Sequence, residues 1–409
     1  MEQEGEKKII GVSRNVFFLG WVSFLTDVSS EMIFNVLPLF LLNVLKVSTP
    51  IIGLIEGIAE GTASLFKLVS GWLSDRLGRR KGLTIFGYSL STVSKPFLYI
   101  ASSWAVVLAV RFIDRVGKGV RDAPRDALVA DSTADSERGR SFGFHRGMDT
   151  AGAVLGIGLA ALVVYLVERE GLQLTKHAFQ TLVLSGIGPA VLAVLILMFF
   201  VREKKRGTQR KAIKPTTAQP VREAPAKTVL DKRFKLFLLI MVLFTLGNSS
   251  DAFLILRAQN LSFSVFWILI LFAAFNLVYA LAAMPAGMIS DRLGRKRVIV
   301  VGWTIYALSY LGLGLASAKW EVWLLFAFYG LYYGISEGVT RAFVSDLVPV
   351  EKRGTAYGWY HAAVGISLLP ASVIAGLLWQ FISPPATFYF GAGMAGVAML
   401  GLLLFIRGK

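Results

Sequence analysis

Twelve apolar stretches constrain this chain more than any other feature. They run at about 15–42, 50–73, 83–103, 105–127, 143–167, 177–201, 234–257, 262–289, 298–318, 321–344, 356–381 and 386–406. A bilayer core needs roughly 20 apolar residues per crossing helix. In lipid every backbone N–H and C=O must find a partner within the chain, and at these lengths the helix supplies it. The expected fold class is therefore an all-α membrane protein with twelve transmembrane helices. Composition agrees: 55% of the 409 residues are hydrophobic and 17% are charged, against roughly 25% charged in ordinary soluble domains. Cysteine is absent, which excludes disulfides, thiolate metal sites, Fe–S clusters and thiol nucleophiles. The charged start, Met1–Lys8, has no small-residue cleavage site, so no cleaved signal peptide is expected.

Most connections between the stretches are short. The exception is 202–233, which holds Lys204, Lys205, Arg206, Arg210, Lys211 and Lys214 with Pro215, Pro220 and Pro225. It reads as a basic linker. It divides the chain into a six-helix lobe at 1–201 and another at 234–409. Lys and Arg also set orientation, because cytoplasmic loops carry the excess. One set of connections holds Arg76, Arg79, Arg80, Lys81, Arg138, Arg140, Arg292, Arg295, Lys296, Arg297, Lys352 and Arg353. The opposite loops hold only Lys46, Arg169, Lys176 and Lys319. Both termini are expected in the cytoplasm of a cell whose cytoplasmic membrane this chain crosses many times. The net charge of +17 is then mainly a topology signal, and no nucleic-acid partner is expected.

The two halves repeat. Gly71-Trp-Leu-Ser-Asp75-Arg76-Leu-Gly78-Arg79 recurs 216 residues later as Gly287-Met-Ile-Ser-Asp291-Arg292-Leu-Gly294-Arg295. Asp131 echoes Asp346, Arg138-Gly139 echoes Arg353-Gly354, and Ser29-Ser30-Glu31 echoes Ser249-Ser250-Asp251. A parallel repeat of two membrane lobes is the plan of a two-lobed secondary transporter with its site between the lobes. Gly71 and Gly287 would permit close helix approach. Asp75 and Asp291, beside their arginines, would latch helices in one state of a transport cycle. The plainer alternative is that these arginines only fix topology.

These motifs resemble the major facilitator superfamily. The two G-x-x-S-D-R-L-G-R segments look like its loop motif between helices 2 and 3 and the counterpart between helices 8 and 9. Arg111-Phe-Ile-Asp-Arg115-Val-Gly117-Lys-Gly119 resembles its helix-4 motif, with Arg111 as the motif arginine. Gly143, Gly152 and Gly156 match most of the helix-5 glycine pattern of antiporters, although Ile157 stands where that pattern has proline. The resemblance implies alternating access, with helices 3, 6, 9 and 12 as outer scaffold and the others lining a cavity. It also implies, through the partial glycine pattern, proton-coupled efflux like that of bacterial and archaeal members.

Ionisable residues inside a bilayer are costly and usually face a cavity or a partner. Asp27 and Glu31 are four residues apart, as are Glu56 and Glu60, so each pair shares a helix face. Arg111, Arg115, Lys118, Asp122 and Arg125 step by 4, 3, 4 and 3 down the fourth stretch. Acidic stripes facing a basic one predict an internal ion-pair network. Candidate proton carriers are Asp27 and Glu31, with Glu56, Glu60 and Asp149 behind them. The alternative is that these carboxylates only neutralise the arginines. The cavity is expected to draw further on Ser30, Asn35, Asp251, Asn276, Tyr329, Tyr333, Glu337, Tyr360 and His361. Aromatic stripes of this kind also serve packing alone.

The expected function is secondary active transport of a small organic solute across the membrane, proton-coupled and outward, by a monomer. The lipid bilayer, the solute and H+ are the expected partners, and no cofactor is expected. An organic-anion carrier using Arg115, Lys118 and Arg125 is one rival; a metal exporter and a non-transporting membrane sensor are others. His145, His177 and His361 lack ligand spacing, so no metal site is expected. No phosphate-binding Gly-rich Lys loop is present to use ATP. No Ser–His–Asp set stands out, so no enzyme is expected.

Overall fold

The computed structural model describes residues 8–77, 80–133, 137–203, 231–349 and 352–406. Most of the linker, together with Gly78, Arg79 and the side chain of Asp75, lies outside the described residues. A short hairpin, β1 (Lys8–Ile9) with β2 (Val12–Ser13), opens the described chain. All else that is regular is helical. The first half holds α1 (Arg14–Phe34), α2 (Leu37–Leu39), α3 (Thr49–Leu77), α4 (Arg80–Ser94), α5 (Trp104–Asp131), α6 (Arg138–Glu168) and α7 (Lys176–Phe200). The second half holds α8 (Lys232–Gly247), α9 (Ala252–Asn260), α10 (Val265–Leu293), α11 (Arg295–Leu315), α12 (Lys319–Asp346), α13 (Arg353–Phe381) and α14 (Pro384–Phe405).

Among the described residues, eight helical segments are long and apolar enough to cross a membrane. Two of these are composite, Arg14–Val44 and Lys232–Asn260. The sequence reading of twelve crossings adds α3, α4, α5 and α12. α4 has only 15 residues, and α3, α5 and α12 carry the charges that dilute their apolar character. Those charges largely answer one another inside the bundle, as described below. Large apolar side chains such as Leu166, Phe199, Met284 and Leu404 stand exposed on the outside, as a lipid-facing surface requires.

Packing repeats between the halves. α1 packs on α6 and α7, α3 on α5, and α4 on α5. In the second half α8 packs on α13 and α14, α10 on α12, and α11 on α12. The halves meet chiefly where α3 crosses α13 and α6 crosses α10.

Two apolar stretches that read as continuous are broken in the structure. α1 ends at Phe34, and the chain resumes as α2 and then a π-helical turn, Phe40–Val44. Pro38 explains it, because proline lacks the N–H and crowds the preceding turn. The stretch read as one helix at 234–257 is likewise two, α8 and α9, separated at Asn248–Asp251. Asn and Ser side chains there offer the backbone other partners. Ser250 Oγ accepts from the Ala252 N–H at 3.2 Å, and the Ser250 N–H donates to Ser372 Oγ at 3.3 Å.

The repeat motif acts within each half. Arg80 Nη1 donates to the Ala127 carbonyl at 2.9 Å and pairs with Asp131. Arg295 Nη1 donates to the Ala342 carbonyl at 2.7 Å and pairs with Asp346 at 2.7 Å. Each clamp ties the start of one helix to the end of the next. The equivalent arginines are thus Arg80 and Arg295, one residue off the sequence alignment, which set Arg79 against Arg295. Asp291, near the end of α10, lies 3.7 Å from Arg295 at the start of α11. Arg76 stacks over Trp72 at 5.3 Å, and Arg292 is exposed. Gly294 has φ +90°, a conformation that favours glycine. A Cβ on Gly71 would meet Ala123 at 3.5 Å, whereas one on Gly287 would meet nothing within 4 Å. The expected close approach at Gly287 is therefore not present in this state.

Candidate functional site: a charged cavity between the halves

A cavity of about 360 Å³ lies in the interior. The first half supplies its wall from α1, α3 and α5, and the second from the α8–α9 break, α9, α10, α12 and α13. Both helix breaks border it: Phe34, Asn35 and Pro38 at one, and Asn248 to Ala252 at the other. Interrupted helices at a repeat interface free polar groups at membrane depth only where they line a cavity.

α3 and α5 position the main charges. Arg111 Nη2 donates to Glu56 Oε2 at 2.6 Å, and Arg115 Nη2 lies 3.0 Å from Glu60 Oε1. Each pair joins residues 55 apart, and each helix contributes residues four apart. Two parallel helices in register therefore hold two stacked ion pairs. Arg111 and Arg115 also sit over the Phe34 ring, at 4.5 and 5.8 Å, where the ring's negative face attracts cations.

Asp27, Ser30, Glu31, Asn35, Glu56, Glu60, Arg111, Arg115, Lys118, Asp251, Asn276 and Tyr333 all line this cavity. Glu31 Oε2 accepts from Asn35 Nδ2 at 2.8 Å. Several other assignments need correction. Asp149 is not in the wall; it packs beside His145, with Oδ2 3.6 Å from Nδ1. Asp122 and Arg125 lie beyond the cavity on the same stripe. Arg125 pairs with Asp126 at 2.9 Å and lies 3.8 Å from Asp122, while Lys67 lies 3.9 Å from Asp122. Tyr329 stands behind the wall, fully buried, with its hydroxyl donating to Asp251 Oδ1 at 2.7 Å.

Glu337, Tyr360 and His361 line a second cavity of about 220 Å³ in the C-terminal half, which shares Asn248, Tyr333 and Leu368 with the first. Glu337 also belongs to a contact between halves. Its carboxylate accepts from Tyr279 and from Arg341 at 2.5 Å, and Arg146 on α6 donates to the Tyr279 hydroxyl at 2.7 Å.

Sequence reasoning placed Asp114 and Arg121 in the fourth stretch but gave neither a cavity role. Both line the cavity, as do Ser249, Ser250, Phe272 and Phe275. Arg121 donates to Ser91 Oγ at 3.2 Å and stacks over Tyr88 at 4.3 Å. Lys95, in the third apolar stretch, is fully buried; its Nζ donates to Ser29 Oγ at 2.8 Å and Ser30 Oγ at 3.1 Å. Among the described residues, none of those lining the main cavity comes from α4, α7, α11 or α14, the helices read as outer scaffold, nor from α6.

The halves touch unevenly. Where α3 begins and α13 ends, a Cβ on Gly53 would stand 2.1 Å from the Ser372 carbonyl oxygen, and one on Gly57 2.7 Å from Leu369 Cα. The Val265 N–H also donates to the Gly171 carbonyl there at 3.1 Å. Towards the other end, Cβ atoms on Gly143, Gly287 and Gly354 would meet nothing within 4 Å.

A bundle of apolar helices repeated in two halves, with an ionised cavity between them, defines a membrane transporter. The family profile of the Major Facilitator Superfamily matches residues 19–259 and 236–409. An uncharacterized MFS-type transporter of Methanocaldococcus jannaschii is 37% identical over 404 residues, covering 97% of this chain and 95% of its own. This chain belongs to the Major Facilitator Superfamily and is a multi-pass membrane transporter. The multidrug resistance protein MdtH of Edwardsiella ictaluri is 25% identical over 86% of this chain and 84% of its own. The crystal structure of the nucleoside transporter NupG superposes with a TM-score of 0.77 at 14% identity, over 96% of this chain and 99% of that one; that likeness is one of fold.

Proposed function

We propose that this chain crosses the cytoplasmic membrane twelve times in two six-helix lobes, with both termini and the linker in the cytoplasm. It exports a small organic solute in exchange for protons, as a monomer. The cavity alternates between the two sides as the lobes rock. The observation that carries this reading is the cavity wall itself: both halves contribute to it, and it contains carboxylates without a cationic partner. Asp27 has no ion pair and Glu31 only a neutral amide partner among the described residues. A carboxylate so placed gains or loses a proton as the cavity opens to one side or closes. Close contact at one end and open space at the other support a state facing the cytoplasm. The relative named for multidrug resistance supports the outward direction.

An organic-anion carrier is less well supported, because Arg111 and Arg115 are already engaged with Glu56 and Glu60. The test uses proteoliposomes loaded with a pH-sensitive dye and challenged with aromatic amines, aromatic carboxylates and uncharged aromatic solutes. At least one class is expected to drive a luminal pH change. Asp27→Asn or Glu31→Gln is expected to reduce that change by about tenfold or more, the scale of losing a proton-transfer group. Unchanged proton movement in both variants would remove the assignment. A chain that moves no solute at all would fit the sensor reading.

A further inference from the structure

The main cavity is lined by six carboxylates (Asp27, Glu31, Glu56, Glu60, Asp114 and Asp251) against four cations (Arg111, Arg115, Lys118 and Arg121). Two of those cations are spent on Glu56 and Glu60. Arg121 is held by Ser91, the Tyr88 ring and Asp122, 4.0 Å away. Acidic groups therefore outnumber the cations free to meet a solute, on both sides of the cavity.

The wall from the second half is the more specific. At the α8–α9 break, Asp251 faces the cavity together with Asn248 and Ser249. Asn248 Oδ1 and Ser249 Oγ are buried, and neither has a hydrogen-bond partner among the described residues; Ser249 is only 6% exposed. α8 ends here and α9 begins with Asp251 as its N-cap, so the negative end of one helix dipole and the positive end of the other meet at the break. Phe272, Phe275 and Tyr333 complete the wall. Phe275 is stacked on Tyr329, whose hydroxyl fixes the Asp251 carboxylate. A carboxylate, unpartnered acceptors and aromatic faces together are the recognition chemistry of an organic ammonium group.

We propose that the α8–α9 break is the subsite for a positively charged group of the solute, so that the substrate is an organic cation with an aromatic or apolar body. This rests on the carrier reading above and names its substrate class. The positive group lies against Asp251, with its substituents on Phe275 and Tyr333. The apolar body fills the space towards Phe272, and Asp27 and Glu31 remain across the cavity for protons. Export then exchanges like charge for like charge.

The test uses benzyltrimethylammonium and benzylsulfonate, aromatic probes of opposite fixed charge that do not themselves titrate. Binding to the purified full chain is measured calorimetrically. Saturable binding of benzyltrimethylammonium is expected, with no competition from benzylsulfonate and no change when NaCl is replaced by KCl. Asp251→Asn is expected to weaken it about tenfold or more, with recovery in Asp251→Glu. Phe275→Leu, which removes a ring and no charge, is expected to weaken it about twofold to fivefold. Equal affinity in Asp251→Asn and Phe275→Leu, preference for benzylsulfonate, displacement by sodium alone, or no saturable binding by folded protein would each overturn the proposal. Counterflow separates the two levels. Proteoliposomes that exchange benzylsulfonate retain the carrier reading and lose the cationic one; absence of exchange for every solute class removes both.

Discussion

Arg111→Ala is expected to destabilise this protein more than any other single change in the cavity wall. Arg111 and Glu56 are 2.6 Å apart, and their side chains are only 3% and 6% exposed. Removing the guanidinium leaves the buried Glu56 carboxylate without its ion-pair partner. Breaking a buried pair by deleting one partner costs about 3–5 kcal/mol, because the remaining charge is uncompensated. An unfolding titration in mixed micelles should show that loss. The double variant Arg111→Leu/Glu56→Leu should recover most of it, since removing both charges removes the penalty. Transport should stay impaired in the double variant, because the register of α3 against α5 loses the more deeply buried of its charge pairs. If Arg111→Ala is as stable as the parent, the pair is not the structural tie described here.

The second large effect is steric and acts on the cycle rather than the fold. Gly53→Leu and Gly57→Val are expected to reduce transport about 100-fold or more, equivalent to roughly 2.7 kcal/mol on the limiting step. At Gly53 the obstruction is the Ser372 carbonyl at 2.1 Å, and at Gly57 the Leu369 backbone at 2.7 Å. Backbone cannot move aside as a flexible side chain does, so the added atoms wedge α3 from α13. The halves then cannot close at that end, and the opposite state accumulates. Gly158→Val is the control, because its Cβ would meet nothing within 4 Å; transport near the parental rate is expected. Equal loss in all three variants would point to misfolding instead of a blocked closure.

Much of this was legible in the sequence because its signals are periodic. Most apolar stretches marked a helix to within a few residues, but the third runs well past the end of α4 and the first and seventh are each broken; the repeat anticipated that the two halves pack alike. The four-residue spacing of Glu56 with Glu60 and of Arg111 with Arg115 predicted a network, and the structure forms both pairs. Depth along a helix was not legible. The stripe that begins at Arg111 continues through Asp122 and Arg125, yet the cavity ends before them and they neutralise each other below it. Asp149 reads like any intramembrane carboxylate, but it faces His145 one turn earlier on the same helix, a four-residue spacing that was available in the sequence. The α8–α9 break was hidden because apolar residues continue on both sides of Asn248–Asp251. The echo between Ser249-Ser250-Asp251 and Ser29-Ser30-Glu31 was the available signal, since both segments border the cavity.

The central claim is that the two halves rock about the cavity under control of its carboxylates. The chain has no native cysteine, so Gly143→Cys on α6 and Gly287→Cys on α10 can carry spin labels directly. Both sites have open space around the new side chain. Electron–electron distance measurements in nanodiscs should give two populations whose ratio differs between about pH 5 and about pH 8, if protonation of the cavity carboxylates sets the equilibrium. Adding Asp27→Asn and Glu31→Gln together should hold that ratio fixed across the same range. A single distance that ignores pH in the parent, or a shift that survives both substitutions, would contradict the account.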